Sequence, residues 1–262
     1  MTTLTLAVRD SSTMLRRNLL HMRRYPSMTL MLVGIPVILL LVFVYVFGGT
    51  LGAGLGPTGD RADYANYVTP GILLITVTSA AQGTAISVAM DMTEGIVARF
   101  RTMAIFHPSI LTAHVLGSLI QTLLGLSAVT GVALLVGFRP TANPIEWLAA
   151  IGVLVMITVA LTWLSVALGL VTRSVETASN LPMPLVLLPF LGSGFVPTDS
   201  MPTPVRWFAD YQPFTPVMET LRGLLLGTGI GTNGILAVAW CAVITVLCFF
   251  WARSLYNRKP AG

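Results

Sequence analysis

Apolar and charged positions are sharply separated along the chain. Six runs carry no Asp, Glu, Lys or Arg: Tyr25–Gly59, Tyr64–Met90, Thr102–Phe138, Trp147–Thr172, Thr177–Thr198 and Gly223–Ala252. Each holds the ~20 apolar residues that cross a hydrocarbon core ~30 Å thick. The pattern predicts six spanning helices, at about 28–47, 71–90, 109–136, 147–171, 178–196 and 234–252. The fold class is therefore an all-α membrane protein.

Between and before the runs the pattern changes. In residues 4–24, Leu4, Val8, Leu15, Leu19 and Met22 share one helical stripe, and Arg9, Arg16, Arg17, Arg23 and Arg24 another. An apolar stripe beside a basic one predicts a helix lying on an anionic membrane surface. Tyr25-Pro26 then turns the chain inward, because the residue before proline disfavours helix. Pro36 should kink the first span. Gly48, Gly49, Gly52, Gly54, Gly56 and Gly59 follow it and read as a flexible connection more than as a GxxxG packing surface.

Polar residues inside the runs fall on single helix faces. Thr76, Ser79 and Gln82 recur at i, i+3, i+6, and Thr158, Thr162 and Ser165 at i, i+4, i+7. Such faces look at protein or water and not at lipid. Two readings stay open for them: hydrogen bonds between helices, or part of a substrate path.

The fifth run is interrupted. Asn180 is followed by Pro182, Pro184 and Pro189. Each proline removes a backbone donor and clashes with the preceding turn, so this span must be bent or broken. A membrane tolerates that only where the backbone faces protein or a cavity. Beyond it, Thr215 suits a helix N-cap, Pro216 the first helical position and Gly227 the stop. Residues 216–226 make ~17 Å of helix, about half a bilayer, and predict a re-entrant segment on the outer side. Glu219 and Arg222, three apart, can pair on it.

Composition sharpens this picture. Charged residues are 10% of 262 and mean hydropathy is +0.82, against ~25% charged in soluble domains. Six spans leave no length for a soluble domain, so residues 1–262 form one membrane domain. The net charge of +5 matters through its placement. Eleven basic residues flank the N-terminus, the segment after span two, the segment after span four and the C-terminus; only Arg61, Arg139, Arg206 and Arg222 lie in the other loops. The positive-inside rule puts both termini and residues 91–107 in the cytoplasm. Fourteen arginines against one lysine point to a GC-rich bacterial genome, hence to a bacterial inner membrane. The arginine-rich start lacks the form of a cleaved signal peptide. Cys241 and Cys248 lie two turns apart on one helix, too far to bond each other.

Several chemistries are excluded. A P-loop needs a lysine followed by Ser or Thr, and the one lysine, Lys259, precedes Pro260. The histidines His21, His107 and His114 form no HExxH, and Leu191 replaces the first glycine of a G-x-S-x-G elbow. No catalytic or metal-binding constellation is expected. No charged residue lies at the centre of a span, where proton-coupled pumps place a carboxylate. A carrier without an energy-coupling group is passive or takes its energy from a partner.

Two segments carry a family resemblance. Asn180-Leu-Pro182, Gly194-Phe195-Val-Pro197, Met201-Pro202 and Gln212-Pro213-Phe-Thr215-Pro216-Val-Met-Glu219-Thr-Leu-Arg222-Gly223 resemble the C-terminal signature of type 2 ABC exporter permeases. Gln212 stands where Asn is usual, and Pro216 where Tyr is common. Asp91-Met-Thr-Glu94-Gly95-Ile-Val-Ala-Arg99-Phe-Arg101 is similar to the family's E-x-G…R-x-R stretch, with Ala104 in place of a frequent proline. The branch most resembled is that of the daunorubicin/doxorubicin-resistance permeases.

The resemblance implies an exporter permease that pairs with itself or a sister permease and with separate P-loop ATPase subunits. ATP and Mg would be bound by those partners, and no cofactor by this chain. It also implies that Asp91, Glu94, Gly95, Arg99 and Arg101 dock on the ATPase. Pro213, Pro216, Glu219 and Arg222 mark the re-entrant segment. Thr76, Ser79, Gln82, Asn180, Phe190 and Phe195 are the candidate path residues; hydroxyls, amides and rings in an apolar setting suit a hydrophobic or amphipathic cargo such as a drug, a lipid or a lipid-linked glycan. The alternative is a secondary carrier or channel that works without an ATPase.

Overall fold

The structure, a computed structural model, describes residues 26–55, 59–93, 108–172 and 174–258. The proposed surface helix 4–24 and the residues Glu94, Gly95, Arg99 and Arg101 lie outside the described residues. Among the described residues the regular elements are all helical, without strands.

Helix α1 (Pro26–Leu41) continues through a π-helical turn (Val42–Phe47) into α2 (Gly48–Ala53). Then come α3 (Arg61–Thr93), α4 (Pro108–Val136) and α5 (Pro144–Val171). Short pieces follow: α6 (Val175–Asn180), α7 (Met183–Leu187), a 3-10 turn (Leu188–Leu191), a second 3-10 turn (Thr198–Ser200) and α8 (Thr203–Tyr211). The half-length α9 (Phe214–Leu226) and the long α10 (Asn233–Arg258) complete the described chain. Among the described residues, five helices are long and apolar enough to cross a membrane: Leu30–Ala53, Arg61–Thr93, His114–Val136, Pro144–Val171 and Asn233–Tyr256.

Helices α3 and α5 form the centre. Their apolar windows are 72% and 61% buried, against 22–28% for the other three. Helix α3 packs on α1, α4 and α5, and α5 packs on α10 and α9. Ile72, Leu74, Ile157, Leu161, Phe214, Met218 and Leu221 meet in this core. The outer helices turn Leu30, Ile38, Leu135, Leu247 and Phe250 outward, the side-chain chemistry of a lipid-facing surface.

Three elements depart from the sequence expectations. The second span begins at Arg61 and not near Gly71, because Asp60 caps it. Its carboxylate accepts from the Ala62 and Asp63 N–H groups at 2.7 and 2.9 Å, and Asp63 accepts in return from the Asp60 N–H at 3.2 Å. Capping of this kind satisfies orphan donors and extends a helix beyond its apolar run.

The glycine-rich stretch is not a loose connection at its start. Gly48 and Gly52 lie one turn apart on α2, both buried, and an added Cβ on Gly48 would stand 2.9 Å from Arg61 Cγ. The Asp60 carbonyl presses on Gly52 in the same way. This is the small-xxx-small mode of close backbone approach. Arg61 also lies over the Tyr45 ring, 4.9 Å from its centroid, fastening the end of the first span to α3.

The fifth run is the third departure. Instead of one helix over 178–196, Val175–Leu191 is a string of short helical pieces, and 192–196 is non-helical. Pro182 sits at the joint before α7, Pro184 in its first turn and Pro189 at the start of the 3-10 turn. Each proline has found a position where its missing N–H is not needed.

Candidate functional site

A broken helix frees carbonyls, and in a membrane these must find protein donors. Among the described residues, Gln82, Gln212, Arg222 and Tyr64 supply them. Gln82 Nε2 donates to Ser179 O at 2.7 Å, Gln212 Nε2 to Leu188 O at 3.2 Å, and Arg222 Nη2 to Ser193 O at 2.8 Å. The broken segment is thus held from α3 on one side and from α9 and its leading residues on the other. Gln212 at the usual Asn position still reaches a carbonyl.

Arg222 makes the densest set of these contacts. Its Nη2 also donates to Tyr67 O at 3.2 Å, its Nη1 to Glu219 Oε1 at 2.5 Å, and its guanidinium lies 3.9 Å from the Tyr67 ring centroid. The arginine side chain is 8% exposed and the glutamate 30%. One planar cation therefore joins α9, α3 and the broken segment, a task that suits the fork of donors on arginine. Glu219 and Arg222 do pair on α9, as their spacing suggests. The two carbonyls and the tyrosine face were not legible in the sequence.

Helix α9 starts earlier than its capping residues suggest. Pro213 precedes the first helical residue, and Thr215 lies inside, where its hydroxyl accepts from the Ser193 N–H at 3.4 Å. Its end is as expected: Gly227 adopts φ 71°, and its N–H bonds Gly223 O. Gly71, Gly194 and Met218 meet where α3, the broken segment and α9 come together. Phe195 stacks on Phe190 at 4.6 Å and 9°, and Phe43 of the first span joins the pair 4.6 Å from Phe195. Tyr64 donates its hydroxyl to Phe195 O at 3.2 Å.

The remaining path candidates separate. Thr76 is buried and bonds Ile72 O of its own helix. Phe195 is buried and Phe190 half-buried, while Asn180 is exposed. Ser79 and Gln82 are half-buried, and Gly83 and Ser87 on the same side of α3 are exposed. The incompletely covered face of α3 therefore mixes Ser79, Gln82, Gly83 and Ser87 with the apolar Ile86 and Met90, whereas the exposed surfaces of α1 and α10 are mainly aliphatic and aromatic. Pro213 and Pro216 belong to the α9 start, with Pro216 buried.

The hydroxyl face of the fourth span points inward. Thr158 bonds Leu154 O at 2.6 Å, and Thr162 lies 3.4 Å from Ser118, which accepts from Thr84 at 2.8 Å. Thr84, Ser118 and Thr162 thus join α3, α4 and α5; of the fourth-span hydroxyls, Thr162 takes the interhelical role, while Thr158 bonds its own helix. One layer away, His114 Nε2 meets Asp91 Oδ2 at 3.1 Å. Asp91 belongs to the last turn of α3 and not to a separate segment, and its carboxylate is turned toward α4.

At the opposite end an open groove of about 530 Å³ is lined by Asp63, Asn66, Tyr67, Arg139, Pro197 and Arg222, among others. It gathers Gly54 and Leu55, Arg139 and Thr141, and Thr228 from the loops at that end. These are the loops that the charge pattern assigns to the outer side.

The ABC-2 type transporter family model matches residues 10–226, and the chain belongs to that family. It is similar to the daunorubicin resistance ABC transporter permease protein DrrB1 of Streptomyces coeruleorubidus, with 28% identity over 258 residues, 97% of this chain and 88% of the relative. The probable doxorubicin resistance ABC transporter permease protein DrrC of Mycobacterium tuberculosis, in strains CDC 1551 and H37Rv, is 24% identical over 213 residues, 81% of this chain and 76% of the relative. The chain is thus a multi-pass permease of the ABC-2 class.

Proposed function

We propose that this chain is the membrane half of an ATP-driven exporter for a hydrophobic or amphipathic cargo, drawing its energy from a separate P-loop subunit. The observation that carries the reading is the uncovered face of α3. Ser79, Gln82, Gly83 and Ser87 are polar or small, incompletely buried, and lie beside the broken segment with its exposed Asn180. Polar groups at that depth belong against protein or a water-filled path. A second permease copy placed over this face would enclose a path between the two. Ser79, Gln82 and Asn180 would line it, with Phe190 at its edge and Thr76 and Phe195 as its backing.

The same reading makes the broken segment a sixth crossing. Ser179 lies beside Gln82 in the inner half of α3, and Ser193 lies beside Tyr67 near its outer start. The segment thus climbs along α3, which agrees with both termini on the cytoplasmic side and with α9 as a re-entrant helix of the outer half. Residues 94–107, with Glu94, Gly95, Arg99 and Arg101, would dock on the ATPase.

Two measurements test this. Single cysteines at positions 60 and 206, on a Cys241→Ser/Cys248→Ser background, should react with impermeant thiol reagents from outside. Labelling of position 60 from the cytoplasmic side alone would sink the six-crossing topology. Co-reconstituted with its P-loop partner, the chain should move daunorubicin, the drug named for its relative, only with ATP. A Walker lysine substitution in the partner should abolish transport. Full-rate movement by the chain alone without nucleotide would leave a secondary carrier or channel.

A further inference from the structure

We propose that Asp91 and His114 form a positioning clamp that makes the inner ends of α3 and α4 move as one body. The inference rests on the ATP-driven reading above and assigns a part in it to a histidine outside the family motifs. Asp91 lies in the last turn of α3 and His114 in the second turn of α4, with residues 94–107 of the chain between the two helices. Their side chains are 14% and 6% exposed and meet at 3.1 Å.

The placement of Asp91 runs against local preference. A carboxylate at a helix C-terminus faces the negative end of the dipole, where a cation is favoured. A residue that breaks a local rule needs a tertiary reason, and His114 supplies one. The next contact up, Thr84 to Ser118 at 2.8 Å, joins the same two helices, and Ser118 extends it to Thr162 of α5. The inner half of α3 is therefore fastened to α4 by two polar contacts, with the Asp91–His114 pair nearer the connecting segment.

A force delivered to residues 94–107 reaches the bundle through the ends of both helices. If those ends can part, the displacement is absorbed locally by their separation. If they are pinned, it becomes a joint movement of α3 and α4, and α3 carries both the uncovered polar face and Gln82. Through His114, the carboxylate of Asp91 then acts inside the membrane subunit.

The experiment uses the full permease with its ATPase partner in liposomes, reading ATP hydrolysis and daunorubicin movement together. His114→Ala should keep hydrolysis while drug moved per ATP falls at least about threefold, within the range of measured coupling effects. The exchange Asp91→His/His114→Asp should restore the ratio, since it rebuilds the pair and takes the carboxylate away from the α3 terminus. On the Cys241→Ser/Cys248→Ser background, Asp91→Cys/His114→Cys should behave like His114→Ala when reduced. It should regain the ratio when joined by a short dithiol-specific tether.

An unchanged ratio in His114→Ala would overturn the clamp. So would a parallel fall of hydrolysis, transport and assembled complex that the exchange does not rescue, which is the signature of a merely structural pair. Loss of transport on tethering would show that the ends must separate, and would overturn it as well. If His114→Ala fails to assemble, the exchange and the tethered pair decide. Failure of the underlying reading shows differently: the unmodified complex would then have no nucleotide dependence at all.

Discussion

Arg222→Ala is expected to be the most damaging single substitution in the described bundle. It strips donors from Tyr67 O and Ser193 O, removes a cation from the Tyr67 ring, and leaves the half-buried Glu219 without its partner. Removing one member of a buried charged pair costs ~3–5 kcal/mol. Glu219→Ala should cost less, about 2 kcal/mol, the order of one hydrogen bond to a charged group. Its carboxylate is partly exposed, and Arg222 keeps both carbonyls. Arg222→Lys should rescue little, because one ammonium cannot reproduce a planar fork that reaches three acceptors. The double variant should be less destabilised than the sum of the singles, since Glu219 is no longer stranded. Thermal midpoints of purified protein in detergent, with the amount of membrane-inserted chain, read all four. Equal effects of the two alanine singles would argue that the tie to the broken segment carries no weight, and strict additivity that Glu219 and Arg222 are not coupled.

Much of this architecture is legible because a membrane punishes unpaired polarity. The apolar runs yielded the long helices, and three prolines within the fifth run announced its break. What could not be read was how the break is repaired. The donors Gln82, Gln212 and Arg222 all serve backbone carbonyls, and a carbonyl acceptor leaves no signature in residue type. For the same reason Tyr67 and Ser193 stayed hidden as partners of Arg222.

Helix starts were missed where polar caps extend a helix past its apolar stretch, as at Asp60. Asn143 begins α5 in the same way, accepting from the Ile145 and Glu146 N–H groups. Gly48 and Gly52 read as flexible because glycine serves both loops and close contacts, and only the position of Arg61 and Asp60 decides between them. Asp91 was legible as a charge at a membrane boundary. That it turns toward His114 depends on the relative rotation of two helices, which spacing along one chain does not encode.

Gly71→Ala is expected to disturb the meeting point of α3, the broken segment and α9 more than its size suggests. An added Cβ would stand 2.8 Å from Gly194 O and 3.0 Å from Gly194 Cα. Both are backbone atoms, which cannot swing aside as a side chain does. Retreat is blocked as well, since Met218 Sδ lies 2.9 Å from the Cβ position of Gly194, and Met218 is fully buried. The strain must move Gly194, and with it the neighbouring Ser193 carbonyl held by Arg222.

Overpacking of this kind costs ~1–3 kcal/mol, against a helix-propensity gain of up to ~1 kcal/mol from replacing glycine by alanine. Gly152→Ala is the control: nothing lies within 4 Å of its Cβ position, so only the gain remains. Purified Gly71→Ala should melt below the unsubstituted chain, and Gly152→Ala at or above it. Met218→Ala, harmful alone through its cavity, should make Gly71→Ala less costly by opening room behind Gly194. A Gly71→Ala protein as stable as Gly152→Ala would mean that the broken segment does not rest on α3 at this point. A double variant with purely additive losses would mean that Met218 is not what holds Gly194 in place.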